Sequence, residues 1–171
     1  MDGVDVAELL TDLFGRLPPL AHHAVDGLSP QELVTQPTPT SNTIAWLVWH
    51  SARVQDHHVS EILDSRQIWL EDHWAERFGL DPDPSNTGYG HDQADVRAVV
   101  PVQPGDLEGY LGAVQVRTVA WLHALTPGDL DRIVDRRWDP PVTLGVRLVS
   151  VADDSLQHLG QAAYLRGLLG R

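Results

Sequence analysis

LGVRLVSVADDSLQHLGQAAYLRGLL, residues 144–169, is the most informative segment of the chain for its architecture. Its apolar residues recur every three or four positions, as on one face of an α-helix, and this stripe consists of Leu144, Leu148, Val151, Leu159, Ala162 and Leu165. Helices of about 20 residues span roughly 30 Å, a normal height for a helical bundle. The segment therefore predicts one long bundle helix.

Three further segments have the same apolar periodicity and are predicted to be helices: residues 4–17, 43–65 and 107–125. Four long helices and no convincing strand pattern predict an all-α fold. The length of 171 residues fits a single domain, residues 1–171. Because long connections precede the third and fourth helices, we expect a four-helix bundle with long crossover connections rather than a simple up-down bundle.

Proline, glycine and capping residues predict the shorter elements. Pro18-Pro19 should interrupt the first helix, leaving a short second piece over residues 20–25, and Ser29 should cap a short third helix. Residues 69–78 are predicted to form a short helix that ends at Gly79. Residues 81–92 read as a loop long enough to line a pocket mouth, and residues 136–143 read as irregular.

Composition excludes several classes of chemistry. The chain has no cysteine, so it offers no disulfide, thiolate ligand or cysteine nucleophile. All 12 basic residues are arginine, so neither a Schiff-base lysine nor the lysine of a phosphate-binding loop is present. The net charge of −12 disfavours nucleic-acid binding. No targeting or membrane-spanning segment is recognisable, so we expect a cytoplasmic protein.

Two histidines and one aspartate are candidate metal ligands. Asp154 and His158 are four residues apart, which places them on one face of the last helix, among predicted core positions. His50 lies near the inward stripe of the second helix, so the three side chains meet if these two helices pack together. Two imidazoles and a carboxylate suit Zn²⁺, Ni²⁺, Fe²⁺ or Mn²⁺, and three protein ligands leave a position open, as in a catalytic site.

Other interpretations of these residue types stay open. A His–Asp pair at this spacing also occurs as an ordinary surface pair, and Asp153 is a rival carboxylate, although its spacing turns it away from His158. We expect His57 and His58 to lie on the solvated surface of a helix and the six tryptophans to pack in and around the core. Three arginines are expected to form surface salt bridges: Arg53, Arg77 and Arg117. No metal-spaced partner is visible for His22 and His23, whereas His91 in the 81–92 loop is a candidate for reaching a pocket and Trp46 for walling one.

Two motifs resemble those of the DinB-like bundle superfamily, which includes thiol-dependent transferases and the mycothiol-dependent maleylpyruvate isomerase. NTIAWLVWH, residues 42–50, is similar to the superfamily's second-helix motif. DSLQHLGQAAYLRG, residues 154–167, resembles its final helix, in which a histidine is followed by Gly-Gln and then by Leu-Arg. Residue by residue, the resemblance implies that His50, Asp154 and His158 are the metal ligands.

Three departures limit what the resemblance implies. The middle ligand is commonly His or Glu in the superfamily, whereas here it is the shorter Asp154. The isomerases carry an extra C-terminal domain, and this chain ends at Arg171, so the isomerase reaction is not expected. The His-x-x-x-His-x-Glu pattern of the ergothioneine-pathway relatives is broken by Asp154 and Gly160.

The resemblance therefore implies a metal-dependent transferase that uses a low-molecular-weight thiol as co-substrate. A bound divalent ion, zinc first, would lower the pKa of the thiol and hold the thiolate beside an electrophile. Two alternatives remain: a metal-dependent hydrolase that activates water, and a non-catalytic metal- or ligand-binding bundle of the stress response. The superfamily often pairs through helix faces, so we also expect a homodimer.

Overall fold

The structure, a computed structural model, describes residues 5–171. The α-helices are α1 (Val6–Gly15), α2 (Leu17–Val25), α3 (Pro30–Leu33), α4 (Ile44–Leu63), α5 (Trp74–Arg77), α6 (Gln93–Ala98), α7 (Gly105–Leu122) and α8 (Leu144–Leu168). The 3₁₀ turns are Ile68–Leu70 and Pro127–Asp131, and the strands are β1 (Ile133–Asp135) and β2 (Val142–Thr143). The predicted start of the first helix at Val4 lies outside the described residues.

Helix α4 is the centre of the bundle, because it packs along both α8 and α7, while α2 packs on α8 and α7 and α1 packs on α7. The predicted all-α bundle is therefore confirmed. Threonine caps fix where the two central helices begin: the Thr43 hydroxyl accepts from the backbone N–H of Trp46, and the Thr143 hydroxyl accepts from that of Val146. The two capped helices, α4 and α8, pack against each other and carry the candidate ligands.

Two helix predictions were wrong in detail. The first break falls at Arg16, and α2 begins at Leu17 with the two prolines in its first turn, where a missing N–H costs no hydrogen bond. The predicted 69–78 helix is divided into a 3₁₀ turn and α5, because Asp72 and His73 adopt positive φ angles of 49° and 59°. Helix α6, which follows the 81–92 loop, was not predicted.

A short hairpin also departs from the sequence prediction. Residues 136–143 were expected to be irregular, but β2 pairs antiparallel with β1, with Ile133 opposite Thr143. Asp135 at the end of β1 is buried and accepts hydrogen bonds from Arg137 and Arg147 at 2.8–2.9 Å. This ionic anchor holds the 136–141 turn beside helix α8.

The core is one apolar cluster shared by the helices, and its largest members are aromatic. Trp46, Trp49, Trp69 and Trp74 are buried in it, as expected for packing residues. Trp138 departs from this expectation, because its side chain is 66% exposed in the hairpin turn. Within the described residues, no helix combines the length and the hydropathy needed to cross a membrane.

Candidate metal centre

Helices α4 and α8 bring the three predicted ligands together. His50 lies in the middle of α4, while Asp154 and His158 lie one turn apart on α8. Asp154 Oδ2 is 3.7 Å from His50 Nε2 and 3.5 Å from His158 Nδ1, and one ligand atom from each residue can be chosen so that all lie within 4.8 Å of one another. Ligand atoms bound at about 2.1 Å in a tetrahedral site lie roughly 3.4 Å apart, so the cluster has the size of a metal site.

The hydrogen bonds around the cluster are those of a metal site. The Nδ1 atom of His50 contacts the backbone carbonyl of Thr87, and that of His158 contacts the carbonyl of Asp154 at 2.8 Å. Each ring that donates from Nδ1 leaves its Nε2 free as a ligand, the usual arrangement around bound zinc. Asp154 Oδ2 is buried and has no hydrogen-bond partner among residues 5–171. This orphaned oxygen and the two free nitrogens fit a divalent ion.

Asp154 is an anion in this site. Burial raises its pKa, but the nearby His158 and His50 rings, 3.5 and 3.7 Å from Oδ2, outweigh that effect and hold the pKa well below its usual range. The Asp154 carboxylate in turn raises the pKa of His158, in spite of the burial of the His158 ring. A bound cation would replace the histidine protons as the partner of this carboxylate.

The 81–92 loop forms the roof over His50. Besides the carbonyl of Thr87, it contributes Gly88, whose φ is +96° and at whose Cα an added Cβ would lie 2.6 Å from His50 Nδ1. The Trp46 ring also stacks on the His50 ring, with centroids 4.6 Å apart and planes 9° apart. Backbone and aromatic contacts therefore hold the imidazole in place.

Arg53 anchors this loop to the core. Its guanidinium is fully buried and donates to the backbone carbonyls of Asn86 at 2.9 Å and Pro84 at 3.1 Å. It is paired with the buried carboxylate of Asp56, which also accepts from the Tyr110 hydroxyl at 2.8 Å. The expectation of a surface salt bridge for Arg53 was wrong. The sequence of α4 alone does not show that the distant 81–92 loop covers Arg53. Sequence reasoning missed Arg53 as part of the site.

His91 joins the loop to the Trp46 ring. Its Nδ1 accepts from Trp46 Nε1 at 3.0 Å, and its Nε2 contacts Asn86 Oδ1 at 2.8 Å. Burial lowers the pKa of His91. This contact ties His91 to the Trp46 ring that stacks on His50, but neither Trp46 nor His91 is among the residues that line the adjacent cavity.

A cavity of about 770 Å³ opens beside the cluster. Such a volume is normal for a site that binds small molecules. Loop 81–92, helix α4, helix α8 and the β1–β2 hairpin all contribute to its wall, which consists of His50, Val54, His57, His58, Ser85, Thr87, Tyr89, Asp135, Arg137, Trp138, Arg147 and Asp154. The expectation that the loop lines a pocket mouth agrees with this arrangement.

Comparison with known proteins gives the family. The profile of mycothiol-S-transferase matches residues 19–170. The chain belongs to the mycothiol-S-transferase family. A crystal structure described as a conserved protein from Enterococcus faecalis is 32% identical and superposes with a TM-score of 0.90, covering 99% of this chain and all of that one. No curated protein matches the sequence. The predicted resemblance to the DinB-like superfamily is confirmed.

A second group of possible ligands lies beside the same pocket. His57, His58 and Glu61 are close enough to hold an ion. However, both ring nitrogens of His58 lie 3.1–3.2 Å from Arg147 Nη1, and burial together with this cation lowers the pKa of His58 to about 3. The guanidinium therefore already stands where a metal would be. The expectation of solvated surface was wrong for His57 and His58, which are half-buried in the pocket wall.

The remaining candidates lie away from the cluster. Asp153 is exposed and accepts a hydrogen bond from Gln157. It does not join the cluster, as its spacing from His158 predicted. His22 was expected to have no partner at a spacing typical of metal ligands. Its Nδ1 lies 2.7 Å from Glu108 Oε1 on the exposed surface, away from the cluster. The expectation of salt bridges is met by the two other arginines, because Arg77 pairs with Asp106 and Arg117 pairs with Glu71.

Proposed function

We propose that the protein is a metal-dependent thiol S-transferase with His50, Asp154 and His158 as the metal ligands. The observation that carries the proposal is the convergence of these three side chains, with an orphaned carboxylate oxygen on Asp154, beside a 770 Å³ pocket that His50 and Asp154 line. Members of this family are metal-dependent, and the chain has the donor set that such dependence requires.

The chemistry follows from what each residue does. A bound divalent ion would lower the pKa of the thiol, so that the sulfur would be a nucleophile at neutral pH. His50 and His158 present oriented imidazoles, and Asp154 adds a negative charge that balances the cation. The sulfur forms a bond to the electrophilic carbon, the leaving group departs with its electron pair, and the thiol proton passes to solvent. Because the chain has no cysteine, the sulfur comes from a co-substrate.

The test combines elemental analysis with a transfer assay. The untreated protein should contain close to one divalent ion, zinc first, per chain. With mycothiol, bacillithiol or glutathione and an alkylating electrophile, it should form the thioether with at least one thiol, whereas His50→Ala and His158→Ala should lose both the ion and the product. A metal-loaded protein that conjugates no thiol would refute the transferase and favour the binding role or the hydrolase.

We also propose that the protein is a homodimer, as expected from its family. Light scattering should give about twice the chain mass of 18.9 kDa. A mass equal to that of one chain would refute this proposal.

A further inference from the structure

Two aromatic side chains of the pocket face solvent. Tyr89 is 95% exposed and Trp138 is 66% exposed, although both line the cavity beside the metal cluster. They come from different segments, the 81–92 loop and the β1–β2 turn. Aromatic side chains that are exposed around a concave site are typical of surfaces that bind ligands. We call this pair the aromatic rim.

Both segments that carry the aromatic rim are fixed to the rest of the molecule. Arg53 holds the loop through the carbonyls of Pro84 and Asn86, and Asp135 holds the turn through the backbone N–H of Arg137 at 2.9 Å and through the guanidinium of Arg147. Side chains on anchored segments lose less conformational freedom when a ligand binds. The rim is therefore prepared for binding, even though its side chains are not packed in the core.

The charges around the rim are balanced. Arg137 and Arg147 both pair with Asp135, and Asp154 is the second carboxylate of the cavity wall. Two guanidinium groups thus face two carboxylates. Such a wall attracts neither an anion nor a cation strongly, while an aromatic face binds the flat or apolar face of an uncharged ring.

We propose that Tyr89 and Trp138 form a subsite for an uncharged ring-bearing group of one co-substrate and thereby set which electrophiles or thiols the protein accepts. This inference rests on the thiol-transfer function proposed above. Both rim side chains are strongly exposed, whereas His50 is buried, so the ring would bind at the mouth of the pocket, farther out than the metal ligands. The rim then affects substrate choice rather than the chemical step.

The kinetic test uses two uncharged electrophiles that differ in the ring. Thiolate sulfur attacks the benzylic carbon of benzyl chloride and chloride leaves with the electron pair; with iodoacetamide, iodide leaves in the same way, and the thiol proton passes to the buffer in both. In Tyr89→Ala and Trp138→Ala, the KM for benzyl chloride should rise about three- to tenfold, the loss of one stacking partner, with kcat unchanged. The KM for iodoacetamide should not change.

Tyr164→Ala is the matched control, because Tyr164 is 68% exposed on α8 and is not part of the pocket wall. It should leave every constant unchanged. A second arm identifies the co-substrate that carries the ring, with the iodoacetamide concentration held fixed. Mycothiol contains sugar rings and glutathione contains none. If the rim variants raise the KM for mycothiol but not for glutathione, the subsite binds the thiol. Unchanged KM values in both rim variants, for all four compounds, would overturn the proposal.

A binding measurement separates this inference from the proposed function. S-benzyl mycothiol should shield the exposed Trp138 from acrylamide quenching, and the shielding should disappear in Trp138→Phe. Shielding without transfer to any thiol would keep the subsite and refute the transferase. Transfer with no shielding and no change of KM in the rim variants would keep the transferase and refute the subsite.

Discussion

Replacing Gly88 by alanine should release the metal while leaving the bundle folded. The new Cβ would lie 2.6 Å from His50 Nδ1 and 3.1 Å from ring atoms of both Trp46 and Trp49, so the imidazole has to move. Nδ1 of His50 contacts the Thr87 carbonyl, and loss of such an orienting contact typically lowers metal affinity about 10- to 100-fold.

Gly90→Ala is the control for backbone strain. Gly90 also has a positive φ, +77°, but an alanine Cβ there would meet nothing within 4 Å. Both substitutions carry a penalty of about 1 kcal/mol for placing alanine at positive φ. The difference between the two variants therefore isolates the collision with His50.

The assay is zinc competition against a chromophoric chelator, with circular dichroism as the check on folding. Gly88→Ala should bind zinc about 10- to 100-fold more weakly than Gly90→Ala, and both should keep the helical spectrum of the wild type. Equal zinc affinity in the two variants would show that the loop does not orient His50. Loss of the helical spectrum in Gly88→Ala alone would show that the loop supports the fold rather than the ligand.

Three further predictions concern stability. Zinc at 100 times its dissociation constant should stabilise the protein by about 2.7 kcal/mol, so adding EDTA should lower the melting temperature by roughly 5–10 °C, and His158→Ala should not respond. Arg53→Met should lower the free energy of unfolding in urea by about 3–5 kcal/mol, because it leaves Asp56 buried without its cation. Arg16→Met, which removes one partner of an exposed pair, should lower it by about 0.5 kcal/mol. Similar losses in the two variants would contradict the anchoring role of Arg53. The pKa of His58 is lowered to about 3 in the folded protein, so the neutral ring contributes its full stability above the unfolded-state pKa and loses it as the pH falls. Between pH 7 and 5, the free energy of unfolding of the metal-free protein should therefore fall by about 2 kcal/mol more than that of His58→Gln. Parallel plots of unfolding free energy against pH would refute this prediction.

The bundle and the three candidate ligands could be predicted because their signals are local. Apolar periodicity defines α4 and α8, and the four-residue spacing puts Asp154 and His158 on one face. The apolar stripe placed His50 on the inward side of α4, but the sequence does not show that α4 packs against α8, and the resemblance of two motifs supported that pairing. The structure agrees with that pairing of helices, and the role of these residues as ligands stays a prediction that zinc analysis tests.

The parts that could not be predicted depend on backbone or long-range contacts. The carbonyl of Thr87 has no side-chain signature, and Gly88 in the sequence is one glycine among 14. The β1–β2 hairpin has strands of three and two residues, too short to produce an alternating pattern. Arg53 looks like any helix arginine until the loop covers it, 31 to 33 residues further along the chain.

These contacts form one connected support for the metal cluster. Asp56 holds Arg53, Arg53 holds the 81–92 loop, and the loop holds the His50 ring through the Thr87 carbonyl. A buried ion pair gives little net stability compared with apolar packing, because removing both charges from water is costly. The Arg53–Asp56 pair is better explained by orientation: it fixes an irregular loop, which has few apolar contacts of its own, in the one position that keeps Nε2 of His50 directed at Asp154 and His158. In this view the core of the bundle and the affinity for the metal are not independent, since weakening the pair frees the loop before it unfolds the helices.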